Sequence, residues 1–417
     1  MYKVREMIFI SPLRKNLIKY GVYVALFTMG SIIFSIPHYL TDHSEQFLTK
    51  PEMRFSTDLK YILLWKPSRE NKFGFYYPKE QEIFGGQSVF IKQKCEFINC
   101  YITYNKHFLR ADHRNFDAVV FSVRDIANLR PKDVNLTRSP YQKYVFHSLE
   151  PAAKYPICNT AFDGFFNWTW TYKLSSDIVH PFFNIYDKKN KVVGPRRDVK
   201  WVEKMTHKDR FTKKISKKTK AVALMVYTCT LKTKYQEYIK ELHDELHGYN
   251  YTLDLYGPCG NIKCPKNRIF NCYKIIEEQY FFQLVLEDYI TEDYVTDRIV
   301  KAMTHLAIPI VLGTLDYASF MPPGSFINSQ HLDIKKLGAI IDYLIKNPKT
   351  YEFFFDWKNH YFYTPRSRSH FCDLCTKLNS NNSITHRSYK HLRKWWDPDH
   401  RDNCRKLRYD HLYASGE

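Results

Sequence analysis

Nothing in the 417 residues repeats at the period of a solenoid or propeller, which excludes a stacked-repeat architecture. No second Cys-x-x-Cys accompanies Cys372 and Cys375, so a zinc site built from them with Cys404 lacks the paired spacing that such sites use. No Asp-x-Asp closes a predicted strand, leaving the chain without a clear carboxylate motif for a metal. Acid is also short: 43 Asp and Glu against 63 Lys and Arg give a formal net charge of +20. That excess points to nucleic acid, an anionic membrane surface or phosphate-bearing ligands, without choosing among them. Apolar residues are plentiful at 44%, enough for real cores, which rules out a disordered tail protein. The length suits two domains of ordinary size.

The longest apolar run, Leu17 to Ile36, is about the 20 residues a membrane-spanning helix needs, and Lys19 is its one charge. It lacks the polar face of a buried core helix, and no convincing small-x-small cleavage site ends it. Lys3, Arg5, Arg14, Lys15 and Lys19 precede the run or open it, while Asp42 and Glu45 follow. The positive-inside bias therefore predicts a cytoplasmic tail over 1–16, a transmembrane helix over 17–36, and a lumenal body: type II topology. In an oxidising lumen the ten cysteines read as a disulfide framework, with Cys95/Cys100 and Cys372/Cys375 as the local pairs. Four Asn-x-Ser/Thr sequons, at Asn135, Asn167, Asn250 and Asn381, fit the same compartment as glycosylation candidates.

Residues 37–57 are polar and aperiodic, a stem. The runs YILLW (61–65), DAVVFS (117–122), YVFHSL (144–149) and FFNWTWTY (165–172) read as buried strands of an N-terminal α/β domain over 58–203. Residues 204–220 are basic and poor in apolar content, which reads as a solvated linker. A second α/β domain over 221–378 opens with AVALMVYT (221–228), a helical pattern through Tyr238, Leu242 and Leu246, and YTLDLYG (251–257). Strand, helix, strand is a parallel crossover. YFFQLVLE (280–287) and IPIVLG (308–313) continue the series, and 379–417 form a C-terminal tail.

Between those last two strands the chain nearly says one thing twice: Asp288-Tyr-Ile-Thr-Glu292, then Asp293-Tyr-Val-Thr-Asp297 with Arg298 behind it. Open α/β sheets present ligand loops at this place. Val295, Ile299, Met303 and Leu306 recur at helical spacing, predicting a helix from near Thr296 with Thr296 as N-cap. The second copy then offers backbone N–H groups and the Arg298 charge to a phosphate, and the first copy is loop. On periodicity alone, Asp297 as a first-turn acid and Arg298 as a solvated residue fit equally well.

Here the sequence resembles the α-1,3-fucosyltransferases. Leu286-Glu287-Asp288 stands for the family's Phe-Glu-Asn, residues 293–298 for its Asp-Tyr-Ile/Val-Thr-Glu-Lys, and 308–313 for its Val-Pro-Val-Val-Leu-Gly. YASFMPPGSFI (317–327), the Cys372/Cys375 pair, LDLYGPCG (253–260, as in invertebrate members), ILLW (62–65), RSPYQKYVFHSLEP (138–151) and FNWTWTYKLSSDI (166–178) follow in family order. The resemblance implies a GT-B type fold, two Rossmann-like domains facing a cleft. It implies inverting transfer of L-fucose from GDP-fucose, in α-1,3 linkage, to GlcNAc of N-glycans or related glycoconjugates. It also implies residence in the Golgi membrane, no obligatory cofactor, and a divalent cation as stimulant at most.

By the same resemblance Glu150 is the general base, at a predicted apolar strand end where desolvation would raise its pKa. Asp297 holds the ribose hydroxyls and Arg298 the diphosphate, for which a planar fork suits two oxygens. Tyr172 and Lys173 line the donor cleft, with Thr228, Lys234, Glu287, Asp288 and Tyr294 completing the donor set. The family's Val-Ser-Asn becomes Val226-Tyr227-Thr228, its following arginine Tyr235, its asparagine Asp288, and its Pro-Tyr-Gly Pro181-Phe182-Phe183. These departures motivate an alternative, a catalytically weakened or inactive fucosyltransferase relative acting as a glycan-binding or partner protein. Nucleic acid, suggested by the cations and aromatics of residues 389–411, is set aside because of the anchor and sequons.

Overall fold

The computed structural model describes residues 59–65, 86–109, 112–127, 138–227, 233–258, 260–314, 316–366, 370–380 and 387–406. The expected anchor and stem, Thr228, Asn135 and Asn381 lie outside them. Among the described residues no helix is long and apolar enough to cross a membrane. The fold lies in the compact unit Lys60–Glu417.

Six strands, β1 (Lys60–Leu64), β2 (Cys100–Thr103), β3 (Ala118–Ser122), β4 (Lys143–Ser148), β5 (Trp168–Thr171) and β6 (Ile178–Val179), form a parallel sheet in the order β2-β1-β3-β4-β5-β6. Every residue of β3, β4 and β5 is buried; β3 accordingly runs apolar, whereas β5 alternates Trp and Thr with both faces covered. After β7 (Phe183–Asp187) and β8 (Val192–Gly194), a second parallel sheet is built from β9 (Lys220–Met225), β10 (Leu253–Tyr256), β11 (Tyr280–Leu286), β12 (Ile308–Leu312) and β13 (Ile327–Asn328), in the order β10-β9-β11-β12-β13. β14 (Tyr361–Pro365) pairs antiparallel with β7, which pairs with β8. Two parallel, helix-covered sheets in succession make this a GT-B-like α/β fold.

Three sequence expectations need correction. Cys95/Cys100 and Cys372/Cys375 do not pair within themselves: Cys95 bonds Cys372 and Cys100 bonds Cys375, with further bridges Cys158–Cys404 and Cys264–Cys272. Each of the first three bridges joins residues more than two hundred positions apart. Second, the first lobe does not end near 203. The helix His370–Asn379 returns to it, burying Phe371 and Leu374 beside Ile62, Val120 and Trp170, and the short helix Leu392–Trp396 seats Trp396 under Phe146. Third, the basic stretch 204–220 is not simply a solvated linker. Glu352, itself buried, accepts hydrogen bonds from Phe211 N at 3.1 Å and Thr212 Oγ1 at 2.8 Å. Lys218 is buried and donates to the carbonyls of Glu277 and Tyr280 at the C-terminal end of the helix Ile269–Gln279, where Tyr280 is the C-cap. Burial lowers its pKa to about 7.

Candidate functional site

Both parallel sheets present their strand C-termini to the same region, because the segment after β5 and the doubled loop after β11 are fastened to each other. Tyr294 packs edge-on to Tyr172 with ring centroids 5.1 Å apart, and to Phe182 at 5.6 Å. Lys173 Nζ lies 2.7 Å from Glu292 Oε2, Arg197 Nη2 donates to Glu292 Oε1 at 2.9 Å, and Leu174 N donates to Asp293 Oδ2 at 2.9 Å. Asp293 reaches that position in the left-handed region, at φ +60°. The first copy of the repeat is therefore more than loop: its ends, Asp288 and Glu292, each make a charged contact.

Glu150 follows β4. Its backbone N–H bonds Ser148 Oγ at 3.0 Å while that hydroxyl donates back to Glu150 O at 2.9 Å, a local turn that terminates the strand. Ala152 N donates to Tyr172 Oη at 3.0 Å, so the buried tyrosine fixes the segment carrying Glu150. The carboxylate does not sit in the apolar setting that its sequence position suggests. Arg124 contacts Oε1, and Lys154 Nζ is 3.1 Å from Oε2. Arg124 arrives from the end of β3, one strand over, which is why a linear reading of Ser-Leu-Glu-Pro misses it.

The donor-side candidates gather at the ends of β9 and β11 around a hollow lined by Met225, Tyr227, Tyr235, Glu287, Asp288 and Arg298. Arg298 turns inward. Its Nη1 donates to Leu286 O at 2.6 Å, and Nη2 to both Asp288 oxygens at 2.9 and 3.0 Å. The helix it opens spans Arg298–Thr304, with Asp297 as N-cap and no side-chain cap bond. Thr296 stands one residue before the cap: its hydroxyl donates to Glu287 Oε1 at 3.0 Å and accepts the Arg298 backbone N–H at 3.4 Å. Asp297 is exposed, and Lys301 Nζ lies 3.5 Å from it. Lys301 was missed by motif reading; its spacing of three from Arg298 on a helix was the available signal. Lys234 is exposed, above the Tyr235 ring.

Two expected donor contacts have other work in this structure. Lys173 is 1% exposed and spends its donors on Glu292 and the carbonyls of Trp395 and Trp396. Tyr172 is buried among Tyr294, Phe182 and Trp396, and burial raises its hydroxyl far above the ordinary phenol range. Tyr235, standing where an arginine is expected, is buried and supplies no charge. Of the sequons, Asn250 is exposed, whereas Asn167 is buried, with its Nδ2 donating to Arg387 O and its Oδ1 accepting from Tyr144 N. A glycan on Asn167 has no room in this fold. Among the described residues, no group of three or more His, Cys, Asp or Glu could hold a metal ion.

Glu287 is as deeply placed as Lys173, 1% exposed. Oε1 accepts from Thr296 N at 2.8 Å and from its hydroxyl, whereas Oε2 has no partner among the described residues. Burial raises its pKa to about 7, with Arg298 and the Thr296 bonds pulling the other way. Between the unfolded value of ~4.3 and 7 the folded chain keeps a proton that the unfolded chain has lost. Stability should therefore fall as pH rises across that window, by up to about 3 kcal/mol. Glu287→Gln should flatten this slope in denaturant titrations at pH 5 and 8. Gly313 completes the wall: a Cβ there would lie 2.7 Å from Glu287 Cβ and Cγ and 2.9 Å from Tyr317 Oη. Gly313→Ala is expected to cost about 1–3 kcal/mol, read from the same titrations.

A family model described as "Fucosyltransferase, N-terminal" matches residues 57–183, and one described as "Glycosyltransferase family 10 (fucosyltransferase) C-term" matches residues 215–395. The chain belongs to the family 10 fucosyltransferases. Among its relatives, α-(1,3)-fucosyltransferase C of Drosophila melanogaster is 29% identical over 389 residues, 91% of this chain and 87% of that protein. Glycoprotein 3-α-L-fucosyltransferase A of the same organism is 27% identical over 83% of this chain and 62% of its own length. A crystal structure of an α1,3-fucosyltransferase aligns over 81% of this chain and 96% of its own, with TM-score 0.45 and 15% identity. In this fucosyltransferase the two matched regions meet at the loop 288–297: β4 and β5 fall in the first, and β9, β11 and β12 in the second.

Proposed function

We propose that this fucosyltransferase transfers L-fucose from GDP-fucose in α-1,3 linkage to GlcNAc of N-glycans or related glycoconjugates, with inversion. The observation that carries the reading is one carboxylate and one inward-facing guanidinium, Glu150 and Arg298, brought to a shared region from opposite lobes through Tyr172 and Tyr294. Glu150 takes the proton of the acceptor hydroxyl, whose oxygen bonds the anomeric carbon as the bond to the diphosphate breaks. Arg298 and Lys234 meet the charge left on GDP. A glycoprotein acceptor is supported by the name of the second Drosophila relative. Attachment to the Golgi membrane with a lumenal body is supported by the Leu17–Ile36 run and by the long- and short-range disulfides among the described residues, which fit an oxidising compartment.

The test is incubation of the full chain with labelled GDP-fucose and a panel of N-glycans, with and without chelator. Fucose should appear on GlcNAc-bearing acceptors, and a chelator should slow transfer without abolishing it, because fixed side-chain cations serve the leaving group. No donor-dependent incorporation on any acceptor would refute the reading.

A further inference from the structure

The donor reading assigns the helix Arg298–Thr304 one cation for the diphosphate. The geometry holds two, and each is already met by an acid of this chain. Arg298 and Lys301 lie one turn apart and flank the same ring, with Cζ 5.2 Å and Nζ 5.0 Å from the Tyr227 centroid. Arg298 forks onto both oxygens of Asp288, at 2.9 and 3.0 Å, and Lys301 stands 3.5 Å from the Asp297 carboxylate. The acids are on the water side: the Asp288 and Asp297 side chains are 52% and 53% exposed, that of Arg298 only 20%.

An arginine fork holds a carboxylate in the same planar, two-oxygen geometry with which it holds a phosphate. We propose that Asp288 and Asp297 are internal stand-ins for the two phosphates of a nucleoside diphosphate, and that Lys301 is a second donor-binding cation. Binding exchanges each carboxylate for a phosphate. Asp288 is then a built-in competitor that sets donor affinity, and Asp297, released from Lys301, is freed to accept bonds from the hydroxyls of the same nucleotide. The displaced Asp288 carboxylate stays tethered beside the seat and repels the incoming phosphates, which is how it lowers donor affinity. This rests on the donor reading above and goes beyond it in naming what the ligand displaces.

The test titrates GDP, and guanosine as the probe lacking phosphates, into the full chain by calorimetry, using wild type, Asp288→Asn and Lys301→Met. Asp288→Asn should bind GDP about 3- to 10-fold more tightly, the scale of one partly exposed ion pair, and Lys301→Met about as much more weakly. Guanosine affinity should move in neither. If the wild type binds GDP and Asp288→Asn binds it no more tightly, or gains equally for guanosine, the competitor role is wrong while the donor reading stands. Unchanged GDP affinity in Lys301→Met removes that residue from the seat. A wild-type chain that binds no GDP overturns both readings.

Discussion

Glu150→Gln is expected to lower the rate of fucose transfer by at least about 100-fold, the scale of a missing general base, while GDP affinity stays within about 2-fold. The amide keeps the size of the side chain and one acceptor oxygen, so Ser148 and Tyr172 continue to hold the turn. What it loses is the capacity to take a proton. Arg124 and Lys154 then lose their shared anion, but both are half-exposed and regain water at little cost. The acceptor hydroxyl must approach one of the two Glu150 oxygens. Lys154 is the contact that can yield, since it rides on an exposed four-carbon stem four residues away, whereas Arg124 is delivered by the end of β3. A split readout decides the matter: initial rates with saturating donor, and calorimetry with GDP. Transfer at the wild-type rate would take Glu150 out of the base role, and a parallel fall in GDP affinity would mean that the substitution disturbs the lobe contact instead.

How much of this was legible in the sequence follows from the range of the interactions. Most strands of both parallel sheets, though not Cys100–Thr103 or Ile327–Asn328, were readable because burial on both faces leaves continuous apolar runs, as in Ala118–Ser122 and Tyr280–Leu286. Short or half-buried strands such as Ile178–Val179 and Tyr361–Pro365 carry too few residues or too mixed a pattern to announce themselves. The cysteine spacing suggested local bridges, yet the pairing is set by where the helix His370–Asn379 lands, information held in tertiary packing alone. Within the site, motif order named Glu150, Glu287, Asp288 and Arg298, which lie at or beside strand ends of the two sheets. It gave no sign that Lys173 and Tyr172 stitch two lobes together, because a polar residue at a strand end reads alike in either setting. Arg124 and Lys301 had no motif to mark them, and both come into place through elements that the sequence shows only as short helical patterns.

Replacing Arg298 should be the more damaging change on the donor side: Arg298→Met is expected to reduce kcat/KM by about 1,000-fold, with the larger share in kcat. The diphosphate carries its charge when bound and gains more as the bond to fucose breaks, so a cation in place before the reaction stabilises the transition state beyond the bound substrate. Arg298 is placed in advance, anchored by the Leu286 carbonyl at 2.6 Å and stacked over Tyr227. Its removal also uncovers Asp288, leaving a carboxylate facing the incoming phosphates, which adds repulsion to the lost attraction. Arg298→Lys should recover most of the rate, since a single ammonium can still reach one phosphate oxygen, though without the fork. Steady-state kinetics with GDP-fucose varied at saturating acceptor separate the two parameters. A variant in which KM rises and kcat is untouched would show that Arg298 only binds the donor, and the charge on the departing diphosphate would then have to be met by other cations, with Lys301 and Lys234 the candidates among the described residues.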